Sequence, residues 1–248
     1  MFKNKVILIS GSNGLIGENL KKYFFSKGAK VVGLDLVKKD DSTYKCDITN
    51  ENSVKKTFKL IIKKYQTIDI LINNASKNPI AQNVKNYKFS EYNLDKWRQG
   101  LEVDLVGSFL LSKYAAKIFE KKNKGKIINI SSMYGIIGPD QNIYGKLKKY
   151  EGFKPLEYSV AKAGLIGFTK ALASYYKRSD INVLCLVFGG INDNQSKNFK
   201  KKYLEKTIKN KMCSIDEVVD YISFFSSEKS SYSNGASIII DGGATSIL

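Results

Sequence analysis

The chain contains no histidine. The commonest general base is therefore missing, and so is the commonest imidazole metal ligand. Cysteine is scarce. Cys46, Cys185 and Cys213 are an odd, scattered set with no C-x-x-C pair and no ligand cluster. They read as buried free thiols of a cytoplasmic protein, and no metal site is expected. No apolar run is long enough to span a bilayer, and no signal peptide is evident, so no membrane partner is expected. Internal repeats, low-complexity linkers and signs of a second domain are also lacking. Arginine is nearly missing: Arg98 and Arg178 stand alone among 41 Lys and Arg residues, so lysine carries almost all of a net charge of +18. The lysines are spread along the chain without an aromatic-interleaved basic groove. They read as a solvated surface rather than a nucleic-acid site, and such a surface can attract anionic metabolites.

What is present is an alternation. Apolar or β-branched runs at 6–9, 30–34, 68–72, 126–130, 181–187 and 236–240 read as strands. Helical patterns lie between them at 18–27, 53–65, 96–121, 160–176 and 215–226, the last opened by the capping box Ser214-Ile-Asp-Glu217. The 248 residues suit one α/β domain whose core buries about three quarters of the unfolded surface. The pattern predicts a single-domain, Rossmann-like, doubly wound parallel sheet with helices on both faces.

Two segments carry chemistry. After the first strand come Gly11, Ser12, Asn13, Gly14, Leu15, Ile16 and Gly17, with glycines at G-x-x-G-x-x-G spacing before a helix. Such a loop lets backbone approach a pyrophosphate at a helix N-terminus. The second strand ends on Asp35, 35 − 17 = 18 residues after the last glycine, near the roughly 20 expected for a carboxylate that bonds a ribose 2′-hydroxyl. That acid would repel a 2′-phosphate, and no cation stands in the loop or at Leu36, so NAD is favoured over NADP. Lys38 and Lys39 read as solvated loop charges. The second segment is Tyr158-Ser-Val-Ala-Lys162, which sets a phenol and an ammonium one helical turn apart. A phenol titrates near ~10, and a neighbouring cation favours its phenolate.

With these pieces in place, the chain resembles the short-chain dehydrogenase/reductase family over residues 6–243. Further segments match in order: Cys46-Asp47-Ile48, Asn73-Asn74-Ala75 with Ser76 in place of a glycine, the strand ending Ser131-Ser132, and Asp241-Gly242-Gly243. The resemblance implies that Asp47 and Ile48 contact adenine, and that Asn74, Ala75, Gly189, Gly190 and Ile191 contact the cofactor. It implies Tyr158 as general acid in carbonyl reduction and base in alcohol oxidation. Lys162 would tune that phenol and bond the nicotinamide ribose. Ser132, rather than Ser131, would hold the substrate oxygen. It also implies a homo-oligomer, dimer or tetramer, packed through the helices at 96–121 and 160–176.

Three departures stand out. Asp104 occupies the position of an asparagine thought to hold a relay water. Either the relay is altered, or Asp104 pairs with Lys162 and the tyrosine is less activated; a helix-interior acid with a structural partner is the plainer reading. Phe188 stands where the family has proline, which leaves cofactor orientation open. Ser132 and Tyr158 are 158 − 132 = 26 residues apart, about twice the usual gap. An insertion at about 134–156 must pass beside the substrate. A lysine-rich segment at about 191–212, with Phe199 and Tyr203 four apart as an apolar anchor, reads either as a mobile substrate lid or as a permanently packed helical pair.

The insertion and Gly189-Gly190-Ile191-Asn192-Asp193-Asn194-Gln195 are similar to a branch linked to flagellin modification and nonulosonic sugars. That resemblance implies an NAD-dependent oxidoreductase acting on a hydroxyl or keto group of a polar, sugar-like metabolite in flagellin or surface-glycan modification. Two alternatives remain open: a 3-oxoacyl thioester reductase, against which Asp35 argues, and a non-catalytic dinucleotide-binding protein on the same fold.

Overall fold

The computed structural model describes residues 1–77, 81–84, 88–144, 146–147 and 150–247. Gly145, Lys148 and Lys149 of the expected insertion lie outside the described residues. The chain builds β1 (Val6–Ser10), α1 (Leu15–Ser26), β2 (Lys30–Asp35), β3 (Thr43–Lys45), α2 (Glu51–Tyr65), β4 (Ile70–Asn73) and β5 (Ala81–Val84). There follow α3 (Leu94–Leu101), α4 (Gly107–Lys122), β6 (Lys124–Ser132), β7 (Lys146–Leu147) and β8 (Tyr150–Phe153). The remainder is α5 (Leu156–Tyr175), β9 (Asp180–Phe188), α6 (Lys197–Leu204), α7 (Ile215–Ser226) and β10 (Ser237–Ile240).

Seven strands form one parallel sheet in the order β10-β9-β6-β4-β1-β2-β3. The expected doubly wound sheet is thus present. Its central strands are buried on both faces, which is why they read as unbroken apolar runs. Side chains alternate between two cores. Leu8, Leu71, Ile127 and Val183 pack with Phe58, Leu111 and Phe119 on one face. Ile7, Ile9, Ile72, Ile128 and Leu186 pack with Leu20, Phe24, Val218 and Ile222 on the other. The capping box of α7 forms, with Glu217 N–H donating to Ser214 Oγ at 3.2 Å and Ser214 N–H to Glu217 Oε2 at 2.9 Å.

Three elements differ from the sequence-based expectation. The helix expected at 96–121 is α3 and α4 joined by a π-helical turn, Glu102–Val106. One wide turn leaves the apolar periodicity on either side intact, so periodicity does not reveal it. The helix expected from 160 begins at Leu156, behind Pro155 as its N-cap, which brings Tyr158 inside α5. The insertion contains β7 and β8, and β8 pairs antiparallel with both β7 and β5 to make a second, three-stranded sheet. Among the described residues, no helix is long and apolar enough to cross a membrane.

Candidate active site

In an open parallel sheet, ligands sit beyond the carboxyl ends of the strands, where the strand order reverses. Here that point lies between β1 and β4. A cavity of about 700 Å³ opens there, running from Asp35 and Asp47 to Tyr158 and Gly190.

Backbone shapes the first end. Gly11 has φ +63°, and a Cβ there would lie 2.8 Å from Ala75 Cα. Asn74 ties the loop down, its Nδ2 donating to Ser10 O at 2.9 Å and Gly11 O at 3.2 Å. Asp35 is fixed by two backbone donors, Asn13 N–H to Oδ2 at 2.9 Å and Leu36 N–H to Oδ1 at 2.8 Å. A carboxylate oxygen has more than one lone pair, so acceptor capacity remains for ribose hydroxyls.

Most of the expected cofactor residues line this cavity: Gly11, Asn13, Gly14, Leu15, Ile16, Asp35, Asp47, Ile48, Asn74, Ala75, Gly189, Gly190 and Ile191. Ser12 and Gly17 do not. Ser12 is fully buried and turned toward Gly33, where a Cβ would meet its Oγ at 2.4 Å. Gly17 packs under the loop, where a Cβ would meet Gly11 O at 2.2 Å. Both shape the turn from behind rather than face the cavity.

At the other end, β6 and α5 bring Ser132, Tyr158 and Lys162 to one wall. The two adjacent serines separate cleanly. Ser131 Oγ donates to Lys162 O at 2.7 Å and pins α5 to the sheet. Ser132 Oγ accepts from Tyr134 N–H at 3.2 Å, so it also caps the short turn Met133–Gly135. Lys162 is buried, with Nζ donating to Ile130 O at 3.0 Å and standing 5.6 Å from the centroid of the Tyr158 ring.

Asp104 lies behind this wall rather than on the cavity, 1% exposed. Its Oδ1 is 2.9 Å from Lys162 Nζ. The same carboxylate accepts from Ser76 Oγ at 2.6 Å and from Lys77 N–H at 2.8 Å. The π-helical turn carries it, and Ser76 meets it from the loop after β4. Of the two open readings of Asp104, the structure shows the pair. Burial alone would pull the Lys162 ammonium down, but the Asp104 carboxylate and the Tyr158 side chain more than offset this and raise it. Lys162 is therefore a fixed cation at neutral pH.

Phe188 is 2% exposed and extends β9 by one residue, opposite Ser132 on β6 and Ile240 on β10. Proline cannot donate to such a ladder. The two glycines after it keep the close approach: a Cβ on Gly190 would meet the Tyr203 ring at 2.6 Å. Tyr203 Oη accepts from Gly190 N–H, and its ring stacks on Phe199 with centroids 6.0 Å apart. Phe199 in turn meets Tyr144 of the insertion at 5.5 Å. Lys206 pairs with Asp140 at 3.0 Å, and Lys202 Nζ donates to Asn142 O at 3.0 Å. The segment after β9 and the insertion thus hold each other.

Sequence reasoning missed Lys154. It is 4% exposed, lines the cavity and places Nζ 3.7 Å from the Tyr158 ring centroid. The available signal was its position four residues before Tyr158, mirroring Lys162 four residues after it. The helix starts between them, so helical spacing alone did not place it.

A family model described as enoyl-(acyl carrier protein) reductase matches residues 16–245. A post-translational flagellin modification protein A of Campylobacter coli is 29% identical over 98% of this chain and 99% of its own. A 3-oxoacyl-(acyl-carrier-protein) reductase of Buchnera aphidicola is also 29% identical, over 97% of each chain. Among solved structures, a short chain dehydrogenase of Leptospira borgpetersenii with bound NAD+ superposes with a TM-score of 0.87. It is 33% identical, covering 98% of this chain and 94% of that one. The chain belongs to the short-chain dehydrogenase/reductase family and is an oxidoreductase of that family.

Proposed function

We propose that this oxidoreductase uses NAD and acts on a hydroxyl or keto group of a polar, sugar-like metabolite in flagellin or surface-glycan modification. The observation that carries the cofactor reading is Asp35. Its carboxylate faces the cavity at the end of β2, where it would accept from a ribose 2′-hydroxyl and repel a 2′-phosphate. The glycine loop, Asn74 and Ala75 fit a dinucleotide, because they line the cavity at the switch point and Gly14 opens α1 there without a side chain to block a pyrophosphate. When bound, the nicotinamide supplies or accepts the hydride. The chain's own part is to position the substrate and move a proton.

In carbonyl reduction, Tyr158 Oη gives its proton to the oxygen that becomes a hydroxyl; in alcohol oxidation it takes that proton. Ser132 Oγ donates to the same oxygen and steadies the charge that develops there. Lys162 holds a positive charge beside the phenol, and its remaining N–H would be the one to bond the nicotinamide ribose. Asp104 positions Lys162 and keeps it charged; with Nζ committed to Asp104 and Ile130 O, the lysine acts as a fixed electrostatic partner. The insertion and α6 cover the substrate side as a lid. The exposed Phe109 and Val160 on α4 and α5 support assembly as a dimer or tetramer through those helices.

The sugar reading draws on the flagellin-modification relative and on polar groups at the cavity mouth, Asp193 and Gln195 among them. The test is cofactor consumption with NADH and NADPH in parallel, across keto sugars, their amino and nucleotide-linked forms, and an acetoacetyl thioester. Turnover of a sugar with NADH is the expected result. Turnover of the thioester alone, with NADPH, would replace this reading by a 3-oxoacyl thioester reductase. NADH binding without turnover of any compound would favour a non-catalytic dinucleotide-binding protein.

A further inference from the structure

We infer that Tyr92 is a positioning residue for Tyr158: its hydroxyl caps α5 from outside that helix and holds the turn on which the reacting phenol stands. This rests on the reading of Tyr158 as the proton donor and adds what keeps that donor in place.

An α-helix leaves the N–H groups of its first turn without partners inside the helix. In α5 these belong to Leu156, Glu157 and Tyr158, because the first intrahelical bond runs from Ser159 back to Pro155. Tyr158 therefore stands in the turn most prone to fray. A serine, threonine, aspartate or asparagine at the N-cap would accept from this turn. The N-cap here is Pro155, which makes no side-chain cap bond. Proline fixes the backbone entering the helix but has no acceptor on its ring.

An acceptor arrives from elsewhere in the chain. Leu156 N–H donates to Tyr92 Oη at 3.3 Å, and Tyr92 Oη donates to Glu157 Oε2. One hydroxyl so ties the first two residues of α5 to a turn 64 residues before Leu156. The surroundings are shaped for this tie. Glu157 is 7% exposed. It packs against α3, where a Cβ on Gly100 would meet its Cγ at 2.0 Å, so only glycine leaves this slot open. A buried carboxyl group needs a hydrogen-bond donor, and Tyr92 supplies one. The N-terminus of α5 favours the same acid. Trp97 of α3 braces Tyr92 edge-on, with ring centroids 6.4 Å apart.

Tyr92, Trp97, Gly100 and Glu157 all stand off the cavity lining, so they act on the site through α5. Misplacing a reacting group by about 1 Å can cost about 10²-fold in rate. A loosened first turn would misplace Tyr158. Lys162 lies one turn further on and is held by Asp104 and Ile130, so it would stay in place.

The test uses the full chain with NADH bound. Labelling with 3-fluorotyrosine gives a fluorine resonance for Tyr158, assigned by its loss in Tyr158→Phe. Tyr92→Phe removes the hydroxyl and keeps the ring. In that variant the Tyr158 resonance should shift or broaden, and the Leu156, Glu157 and Tyr158 amides should exchange about tenfold faster or more, the scale of one hydrogen bond. On the substrate of highest turnover, kcat should fall about tenfold or more, with KM for substrate and for NADH within about threefold. Glu157→Ala should behave alike, while Glu157→Gln still accepts from Tyr92 and should keep most of the rate. An unchanged Tyr158 resonance with unchanged exchange in Tyr92→Phe would overturn the inference, as would an unchanged kcat. So would damage spread evenly over the chain, with NADH binding lost alongside. If no compound is turned over by the wild type, the resonance and the exchange decide alone: local loosening then sustains the cap and counts against the oxidoreductase reading. If Tyr92→Phe does not fold, the contrast of Glu157→Ala with Glu157→Gln decides in its place.

Discussion

At the Asp35 end of the cavity the wall is largely backbone, and at the Tyr158 end it is largely side chain. The first end is made by Gly11, Gly14, Asn74 and the strand ends, locked by bonds such as Asn74 Nδ2 to Ser10 O. The second is made by a buried ion pair, a clamped lysine and a cluster of rings: Tyr134, Tyr144, Tyr158, Phe199 and Tyr203. On the proposed reading the first would hold the dinucleotide, mainly through backbone. The second can change its ligand by changing side chains and the length of one insertion. Cofactor binding and substrate choice are therefore separable, and each variant below should injure one end more than the other.

The largest expected effect is at Asp104. Asp104→Ala leaves the Lys162 ammonium buried without its partner, which costs about 3–5 kcal/mol of stability. Asp104→Asn keeps acceptor capacity for Ser76 or Lys77 and should lose less. The pH dependence has a definite sign. Lys162 is raised above its ordinary 10.5, so its stabilising contribution is complete below that pH and is lost as pH rises through its folded value. The stability gap between wild type and Asp104→Asn in urea should therefore be widest at neutral pH and shrink above about 10.5.

Next is the cradle. Gly17→Val would force a side chain against Gly11 O, where even a Cβ would lie at 2.2 Å. The expected loss is about 3 kcal/mol, with NADH binding lost before the substrate-side cluster changes. Fluorescence titration of NADH against near-ultraviolet dichroism separates the two. A smaller change is expected at Asp35. Asp35→Ser should move the ratio of NADPH to NADH efficiency upward by about 10- to 100-fold, the worth of one hydrogen bond to a charged group. An unchanged ratio would assign cofactor choice elsewhere. The smallest effect is Gln141→Ala, which removes two bonds to the Lys154 backbone and costs about 1–2 kcal/mol. It should raise KM more than it lowers kcat and leave NADH binding alone. Equal damage to both ends would mean that they are not separable.

The same division explains what the sequence made legible. Val6 to Ile9 and the glycine loop are local patterns, and the strand, turn and helix they predict are present. Asp35 was singled out by its spacing from Gly17, at the end of the second strand. The capping box at Ser214 and Glu217 is likewise contained within four residues. The substrate side depends on long-range pairing. β5 and β8 meet across the whole of β6 and α4, and no local periodicity joins them. The π-helical turn at Glu102–Val106 adds one wide turn to an apolar pattern that continues on either side. Ser76 stands in place of a glycine in the resembled pattern, and only the fold shows that it donates to Asp104 at 2.6 Å. Lys154 sits outside the helix that carries Tyr158, and its backbone is held by Gln141, thirteen residues earlier and beyond β7 and β8 in the chain, away from any local helical pattern.

The most direct test of the proposed chemistry is single-turnover NADH oxidation by wild type and Tyr158→Phe, on the substrate that gives the highest turnover. If Tyr158 Oη is the proton donor, the variant loses about 10²- to 10⁴-fold in rate while NADH affinity stays within about threefold. A variant that keeps the wild-type rate, or whose loss is explained by failure to bind NADH, would contradict that role.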